Sequence, residues 1–304
     1  MNGSIHAVEG GVYRVLLEDG RTVEASLRGR LKREKRTGSQ VVIGDDVAVE
    51  GQDDTWTIDT VHDRTTQLVR RGFGGRKAKV VAANVDRVFA VVAAKEPDPS
   101  HDLIDRLLVV VESSGLRAVL VVNKVDLEGG QAIAAELRAL YEAVGYRVLT
   151  VSAVSGEGIE GLCEEMCSGT SAFVGPSGAG KSSLLNTVDP SLGLRIGALS
   201  RKTGTGRHTT VSSRLIALEC GGLVADTPGF GDVGLWGVPP EEVEGSFPDF
   251  APFIGLCRFR GCAHVKEQDC GVRDALESGE IAESRYASYV RLREEAEEAK
   301  EARL

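Results

Sequence analysis

The sequence predicts a multidomain protein with an all-β N-terminal domain, a central α/β domain and a small, mainly helical C-terminal domain. Three changes of pattern along the 304 residues indicate this division. Short runs that alternate apolar and polar residues come first, longer apolar runs alternate with helical segments in the middle, and a cysteine-rich segment precedes a charged helix at the end. We place the boundaries at residues 1–68, 69–245 and 246–304.

The N-terminal part predicts a small β-barrel. The stretch GVYRVLLEDGRTVEASLRG alternates apolar and polar residues on both sides of Asp19 and Gly20, a dipeptide typical of tight hairpin turns. VVIGDDVAVEG and DTWTIDTVHDR continue the pattern after a basic loop. Four or five short strands within about 60 residues favour a closed barrel, for which the OB-fold is the natural candidate. The Gly- and Arg-rich stretch 70–79 is predicted to be a linker.

The central part predicts a parallel sheet covered by helices on both faces. VDRVFAVVAA, LRAVLVVNK, YRVLTVSA and TSAFVG are apolar runs typical of buried strands. Helices are predicted between them at about 101–114, 129–144 and 157–167. SRLIALEC and GLVADTPG add two further strands, which we expect to pair antiparallel. Strands that alternate with helices in this way are typical of α/β domains.

Composition and charge favour a cytoplasmic protein. The N-terminus MNGSIHAVEGG has neither a basic start nor an apolar stretch, and the run LLVVV at 107–111 is far too short to cross a bilayer. We therefore expect no membrane contact, and we expect the six cysteines to be reduced. The net charge of −9 disfavours a protein that coats nucleic acid with its whole surface, but it is compatible with a local basic face.

A phosphate-binding loop is predicted at 175–182. The sequence GPSGAGKS follows a strand and begins the helical segment KSSLLNTV, which is the context that the G-x-x-x-x-G-K-[ST] pattern requires. The glycines let backbone N–H groups turn towards phosphate oxygens, while Lys181 supplies a cation for the β- and γ-phosphates and Ser182 can bind Mg²⁺. The candidate contacts are Gly175, Pro176, Ser177, Gly178, Ala179, Gly180, Lys181, Ser182 and Ser183.

The segment NKVD at 123–126 indicates which base is bound. The Asp126 carboxylate can accept from N1–H and the exocyclic amine of guanine, whereas adenine has no such donor pair. Asn123 and Lys124 are expected to brace the loop. An ordinary turn after a strand is the alternative for four residues alone, but a Ser-Ala pair after the next strand can offer an N–H to the guanine oxygen. The candidate base-binding residues are Asn123, Lys124, Val125, Asp126, Ser152 and Ala153.

The segment DTPGF at 226–230 completes the predicted nucleotide site. Asp226 follows a strand and is the second candidate for Mg²⁺, and the N–H of Gly229 can meet the γ-phosphate. An aspartate in a Pro-Gly turn is the alternative, which the other nucleotide elements disfavour. The sequence therefore predicts a protein that binds GTP or GDP with Mg²⁺, with the base-binding segment ahead of the phosphate loop.

A structural zinc site is predicted near the C-terminus. The sequence CRFRGCAHVKEQDC offers three thiolates and one imidazole, a full tetrahedral set with no open position. Its candidate ligands are Cys257, Cys262, His264 and Cys270. Scattered buried cysteines are the alternative. Cys163 and Cys167 fall on one face of a helix with no other ligand nearby, and Cys220 is assigned to a strand, so we predict that these three are core residues.

In this order the motifs resemble those of the circularly permuted GTPases, and more closely those of the RsgA (YjeQ) family of bacterial GTPases that depend on the small ribosomal subunit. The resemblance rests on the barrel, AANVDRVFAVVAA, NKVD, GPSGAGKSSLLN, GRHTT, DTPGF and the cysteine cluster. It implies an OB-fold, a circularly permuted P-loop GTPase domain and a zinc-binding C-terminal domain. It also implies GTP hydrolysis that the small subunit stimulates during its late maturation.

Slow intrinsic hydrolysis is predicted from Phe230, which stands where many GTPases carry a water-orienting glutamine. The segment GTGRHTT at 204–210 is the candidate first switch, in which Thr209 or Thr210 would contact Mg²⁺. His208 is the nearest candidate to position the attacking water, and an exposed loop histidine is the alternative. The candidate catalytic residues are Lys181, His208, Thr209 and Thr210.

The basic stretches at 28–36 and 70–79 are candidates for RNA contact, because OB-folds bind nucleic acid on a strand face and adjoining loops. The candidate residues in the first stretch are Arg28, Arg30, Lys32, Arg33, Lys35 and Arg36. A solvated loop is the alternative, and the resemblance favours ribosomal RNA of the small subunit. RKTG at 201–204 is a further candidate.

Three functions remain after these observations. The first is a GTPase stimulated by the small ribosomal subunit. The second is a GTP-gated module that binds RNA or the ribosome and turns over little GTP, and the third is a GTPase serving the large subunit. The layout with the barrel first and zinc last favours the first. The sequence leaves the oligomeric state open, and we expect a monomer.

Overall fold

A computed structural model describes residues 1–31, 41–52, 55–70, 79–194, 213–226 and 238–301. Among the described helices, none combines the length and the apolar character that a membrane span requires.

The N-terminal strands form a closed barrel. They are β1 Asn2–Glu9, β2 Val12–Leu17, β3 Thr22–Leu27, β4 Asp46–Gln52 and β5 Thr55–Val61. Each strand pairs with the next in the order β1-β2-β3-β5-β4, and β4 returns to β1. The predicted hairpin at Asp19 and Gly20 is confirmed, since β2 and β3 pair antiparallel on either side of it. The interior is filled by apolar side chains that include Ile5, Tyr13 and Ile58, as the period-two pattern requires.

The two ends of the predicted linker lie in strands rather than in a loop. They belong to β6 Gln67–Arg70 and β7 Lys79–Ala83, which pair antiparallel. Sequence patterning misses this pair because both strands are short.

The central sheet has the predicted alternation of strands and helices. Its strands are β8 Arg87–Ala93, β9 Arg117–Asn123, β10 Arg147–Thr150, β11 Thr170–Val174, β12 Ser213–Ala217 and β13 Leu223–Asp226. Its helices are α1 His101–Glu112, α2 Gly130–Ala143, α3 Ile159–Met166 and α4 Lys181–Val188. The strands are parallel in the order β10-β9-β8-β11-β13, and β12 pairs antiparallel with β13 as predicted. Apolar clusters cover both faces.

The barrel and the central sheet are continuous. Ala7 and Val8 of β1 pair with Arg214 and Ser213 of β12, which joins the two into one hydrogen-bonded array. The barrel therefore pairs with β12, which begins three residues after the end of the segment predicted as the first switch.

The C-terminal part is helical, with α5 Pro240–Val243, α6 Ala251–Ile254, α7 Gly271–Glu277 and α8 Glu283–Glu301. Its core contains Phe247, Phe250 and Tyr289, and Val109 of α1 belongs to the same cluster. The C-terminal helices therefore pack directly against the central domain.

A buried arginine joins these two parts of the molecule. The Arg285 side chain is 1% exposed and donates to Asp105 of α1 at 2.5 Å and to Asp249 at 2.6 Å. Tyr141 of α2 donates to the same Asp105 oxygen at 2.8 Å, and the guanidinium lies 4.4 Å from the centre of the Phe247 ring. A charge can be buried in this way because its donors are matched by carboxylates.

The prediction that the three remaining cysteines are core residues is wrong. Cys220 lies in the turn between β12 and β13, not in a strand, and it is exposed; Cys163 and Cys167 are half-buried. Cys167 and Cys220 are joined by a disulfide, which also contradicts the expectation that all six cysteines are reduced. The turn brings Cys220 to the end of α3, a long-range contact that local patterning cannot indicate.

Candidate nucleotide site and metal centre

The phosphate loop connects β11 to α4 and depends on glycine at close approaches. Gly175 and Gly180 have φ values of 145° and 91°, in the region that favours glycine. A Cβ atom on Gly175 would lie 2.0 Å from the carbonyl oxygen of Val91, and one on Gly180 would lie 2.2 Å from the side-chain nitrogen of Asn123. The lack of a side chain at both positions therefore lets the loop pack closely against β8 and against Asn123 at the end of β9.

Lys181 and Ser182 begin α4 directly after the loop. The Lys181 ammonium donates to the carbonyl oxygens of Gly175 at 2.7 Å and Pro176 at 2.9 Å, so its charge stays at the loop. Ser182 is buried in the next position of the helix. The helix N-terminus and the ammonium together form an electropositive environment suited to phosphate.

Asn123 connects three of the predicted nucleotide elements. Its side-chain nitrogen donates to the carbonyl oxygen of Ala179 in the phosphate loop at 2.9 Å. Its side-chain oxygen accepts from the backbone N–H of Ala153 at 3.2 Å. Because Asn123 is 1% exposed, these hydrogen bonds are shielded from water and fix the two loops relative to the NKVD segment.

Asp126 is oriented by a serine. The Ser152 hydroxyl donates to the Asp126 carboxylate at 2.6 Å and accepts from the N–H groups of Val154 at 3.1 Å and Ser155 at 3.0 Å. Ser152 is buried, whereas Asp126 is exposed. The carboxylate is thus held by Ser152 on its buried side and remains accessible from solvent.

Lys124 adopts a left-handed conformation with φ 63°, and its ammonium donates to the carbonyl oxygen of Glu96 in the loop after β8. Val125, the next residue, is buried and donates its N–H to Val151 at 3.3 Å. The base-binding segment is therefore tied to the ends of the strands on both sides of it.

Asp226 ends β13 beside the phosphate loop. Its neighbour Ala225 pairs with Ala172 of β11, so Asp226 lies close to the end of the strand from which the loop begins. Arg214 on β12 donates to the Asp226 carboxylate at 3.3 Å. This exposed ion pair is weak, and it leaves carboxylate oxygen available to a cation.

The four predicted zinc ligands lie together, with all ligand atoms within 4.8 Å of one another. The Cys257 sulfur is 3.9 Å from that of Cys270 and 3.5 Å from His264 Nδ1, and His264 Nδ1 is 3.3 Å from the Cys270 sulfur. Tetrahedral zinc with sulfur at about 2.3 Å separates its sulfur ligands by about 3.8 Å, so the donor set fits this ion. Burial raises the pKa of Cys262 to about 12, so that a cation is needed to hold its thiolate at neutral pH.

Two glutamates near the cluster were not predicted from the sequence. Glu244 lies 3.0 Å from His264 Nε2, on the side of the ring opposite the sulfurs, and such a carboxylate fixes the tautomer of a metal-binding histidine. Burial would raise the pKa of Glu267, but the N–H groups of Ala263, Val265 and Lys266 lower it to about 2. Neither glutamate carries a sequence signal, since both contacts depend on how the loop folds.

The described part of the basic loop contains two of the residues predicted to contact RNA. Arg28 pairs with Asp59 and with Glu50 on the barrel surface, and Arg30 is exposed. The other predicted residues of the loop lie outside the described residues, as do the candidate first switch and the end of the DTPGF segment. These residues are Lys32, Arg33, Lys35, Arg36, His208, Thr209, Thr210, Gly229 and Phe230.

Comparison with known proteins supports a single family. Residues 61–236 match the family model of the RsgA GTPase. The small ribosomal subunit biogenesis GTPase RsgA of Gemmatimonas aurantiaca is 45% identical over 290 residues, which cover 94% of this chain and 94% of the relative. A protein of the same name from Flavobacterium johnsoniae is 35% identical, covering 98% of this chain and 94% of the relative.

Two solved structures are similar over nearly the whole chain. YjeQ from Thermotoga maritima has a TM-score of 0.81 at 33% identity and covers 97% of this chain and 98% of its own. YloQ, described as a circularly permuted GTPase, has a TM-score of 0.77 at 29% identity and covers 98% of this chain and 95% of its own. Since the family model matches more than half of the chain and the relatives align over almost all of it, this protein belongs to the RsgA GTPase family.

Proposed function

We propose that the protein hydrolyses GTP to GDP and phosphate and acts in the maturation of the small ribosomal subunit. The observation that carries the proposed nucleotide site is the position of Asn123, which connects the phosphate loop, the NKVD segment and the Ser-Ala loop. The relatives that are named biogenesis GTPases of the small subunit support the choice of partner.

Guanine is selected by a carboxylate that is held in place. Asp126 accepts from N1–H and the exocyclic amine of the base, and the Ser152 hydrogen bond keeps the carboxylate plane fixed for that pair. The N–H groups of Val154 and Ser155 bind the Ser152 hydroxyl, and the N–H of Ala153 donates to the Asn123 side-chain oxygen. For the guanine oxygen we propose the Ala153 N–H as donor, shared with Asn123. Adenine would leave Asp126 without donors.

The phosphates lie on the loop at 175–180 and the beginning of α4. Backbone N–H groups of the loop donate to phosphate oxygens, and Lys181 exchanges its two carbonyl acceptors for the β- and γ-phosphates. Ser182 and Asp226 supply oxygen ligands of the kind that Mg²⁺ prefers. Bound there, Mg²⁺ supplies neutralisation of the charge that develops on the phosphate oxygens.

Hydrolysis requires a water molecule in line with the γ-phosphate. Its oxygen attacks the γ-phosphorus, the bond to the bridging oxygen breaks so that GDP leaves with the electron pair, and the proton of the water passes to the released phosphate. Phe230 cannot orient this water, so we propose His208, the nearest candidate, for that task, with Thr209 or Thr210 at the cation and Gly229 at the γ-phosphate. The intrinsic rate is then slow, and a bound partner that orders these segments accelerates it.

We assign the N-terminal barrel and the zinc-binding C-terminal domain to attachment to the ribosomal subunit. The strand order and closure of the N-terminal barrel are those expected of an OB-fold, and its basic loop at 28–36 is assigned to ribosomal RNA. Arg28 can exchange its exposed partners Asp59 and Glu50 for phosphate at little cost. Zn²⁺ on the cysteine cluster has a structural role, because four protein ligands leave no open position.

The test is GTP turnover by the zinc-loaded protein alone, with isolated small ribosomal subunits and with isolated large subunits. We expect slow turnover alone and a rise of at least about a hundredfold with small subunits only. Equal slow turnover in all three would favour a GTP-gated binding module. A rise with large subunits would assign the protein to that particle instead.

The choice of base is tested separately with Asp126→Asn. An asparagine presents one acceptor and one donor, which suits xanthine, whose C2 carries an oxygen in place of the amine. We expect the variant to lose GTP-dependent turnover and to regain it with xanthosine triphosphate. Retention of full GTP turnover would exclude Asp126 from the base site.

A further inference from the structure

Three cysteines outside the zinc site form a thiol cluster, which consists of Cys163, Cys167 and Cys220. Their sulfur atoms lie within 4.8 Å of one another, and the Cys163 sulfur is 3.6 Å from that of Cys167. Cys163 and Cys167 come from one turn at the end of α3, whereas Cys220 comes from the turn between β12 and β13. Unlike a buried thiol, each of these residues is reachable from solvent.

Backbone packing holds the two halves of the thiol cluster together without help from the sulfurs. A Cβ atom on Gly222 would lie 1.7 Å from the carbonyl oxygen of Met166, so this glycine allows the turn to touch the end of α3. The N–H of Leu223 donates to the carbonyl oxygen of Gly169 at 2.9 Å. Cys220 is therefore positioned against Cys167 in either oxidation state.

Geometry permits a disulfide between Cys167 and Cys220 and disfavours one between Cys163 and Cys167. The Cα atoms of Cys167 and Cys220 are 5.1 Å apart, within the range of about 4.4–6.8 Å that disulfides occupy. Cys163 and Cys167 are one helical turn apart, where Cβ atoms are separated by about 5–6 Å, more than a disulfide spans. Cys163 thus remains a thiol when the other two are bonded.

We propose that the thiol cluster is a reversible oxidation site whose co-reactant is a peroxide. The thiolate sulfur of one of the two paired cysteines attacks a peroxide oxygen, the O–O bond breaks, and a sulfenic acid forms. The second thiolate attacks that sulfur, the S–O bond breaks, and water leaves. With hydrogen peroxide, two thiols lose two electrons and two protons, and the peroxide is reduced to two water molecules.

The bond fixes an element of the nucleotide domain. It fastens the turn of the β12–β13 hairpin to α3, and this hairpin runs from the segment 195–212 to Asp226. Oxidation therefore restrains β12, which follows the candidate first switch, and β13, which leads into the DTPGF segment. Reduction by two molecules of a low-molecular-weight thiol releases them.

The test is peptide mapping of the full-length, zinc-loaded protein without reductant, after treatment with hydrogen peroxide and after subsequent glutathione. We expect a peptide that links Cys167 to Cys220 after peroxide and its loss after glutathione. Hydrogen exchange of the β12–β13 amides should slow by about tenfold in the oxidised form. Neither readout depends on GTP turnover.

Variants at each cysteine provide the matched controls. Cys167→Ser and Cys220→Ser should abolish the linked peptide and the change in exchange, whereas Cys163→Ser should retain both. The proposal fails if peroxide produces no such link, if Cys163 is the residue found in it, or if the bond persists in glutathione as a permanent disulfide.

Discussion

Replacing Arg285 by methionine should weaken the packing of the C-terminal helices against the central domain. Methionine retains most of the apolar stem but removes the charge, which is 1% exposed and bound by Asp105 and Asp249. Burial raises the pKa of Asp105 even with the guanidinium present, which shows how poorly this position tolerates a lone carboxylate. The variant leaves that carboxylate without its cation.

The expected cost follows from this burial. Removing one partner of a buried ion pair destabilises a protein by about 3–5 kcal/mol, because the other charge stays desolvated. Loss of the contact between the buried guanidinium and Phe247, at 4.4 Å, adds about 2 kcal/mol. Arg291 on the same helix is the matched control. Its side chain is 59% exposed and lies 3.5 Å from Asp102, so Arg291→Met should cost about 1 kcal/mol or less.

The assay is urea unfolding of the zinc-loaded proteins at pH 7.5 and pH 5.5, with circular dichroism as the signal. The free energy of unfolding is compared between variants for the transition that involves the C-terminal helices. In Arg285→Met the folded-state pKa of Asp105 lies further above its unfolded value than in the unchanged protein. The folded state then binds the proton more tightly, so the cost of the substitution shrinks as the pH falls. Equal costs for Arg285→Met and Arg291→Met, or a cost independent of pH, would refute the buried-charge reasoning.

Three further changes test the nucleotide and zinc sites. Ser152→Ala removes a charge-assisted hydrogen bond worth about 1.5–3 kcal/mol, so the Kd for GTP should rise by at least about tenfold. The control Ser155→Ala should change the Kd by less than about threefold. Both Kd values are measured by titration calorimetry, and equal values would exclude the role of Ser152. Glu244→Gln removes the carboxylate that contacts the zinc-binding histidine, and zinc loss to a chelator should become about 10–100-fold faster. An unchanged rate of zinc loss would show that this contact does not support the zinc site. Glu267 has a lowered pKa, so its stabilisation is complete above about pH 4.3 and disappears as the pH falls towards 2. In Glu267→Gln, zinc-domain stability between pH 5 and 3 should depend less on pH, and an unchanged profile would assign the dependence to other groups.

Features encoded in consecutive residues could be predicted from the sequence. The phosphate loop, the NKVD segment and the four zinc ligands each occupy a short stretch whose spacing reflects local geometry, and the hairpin at Asp19 and Gly20 is equally local. The strands and helices of the central domain follow from apolar periods that span a single element. The bounds differ from the predictions by a few residues, where end effects decide.

Features that depend on distant residues could not be predicted. Asn123 was expected to brace its own loop, but its partner Ala179 is far along the chain, and no pattern near either residue indicates the other. The same holds for Arg285 with Asp105 and for the turn that brings Cys220 to α3. In each case the sequence supplies a polar side chain that would be unremarkable at the surface, and only packing determines that it is buried or paired.

Placing the base-binding segment ahead of the phosphate loop leaves the pocket unchanged, because Asn123 bonds to Ala179 whichever comes first in the chain. What changes is the chain that leaves the site. After Asp226 it runs to α5 and then to Glu244, which contacts the zinc-binding histidine. We therefore expect loss of the γ-phosphate to alter zinc release to a chelator, which a comparison of GDP with a non-hydrolysable GTP analogue measures. Equal release rates would mean that the zinc domain does not sense the nucleotide, and the reversed order would then have no mechanical consequence there.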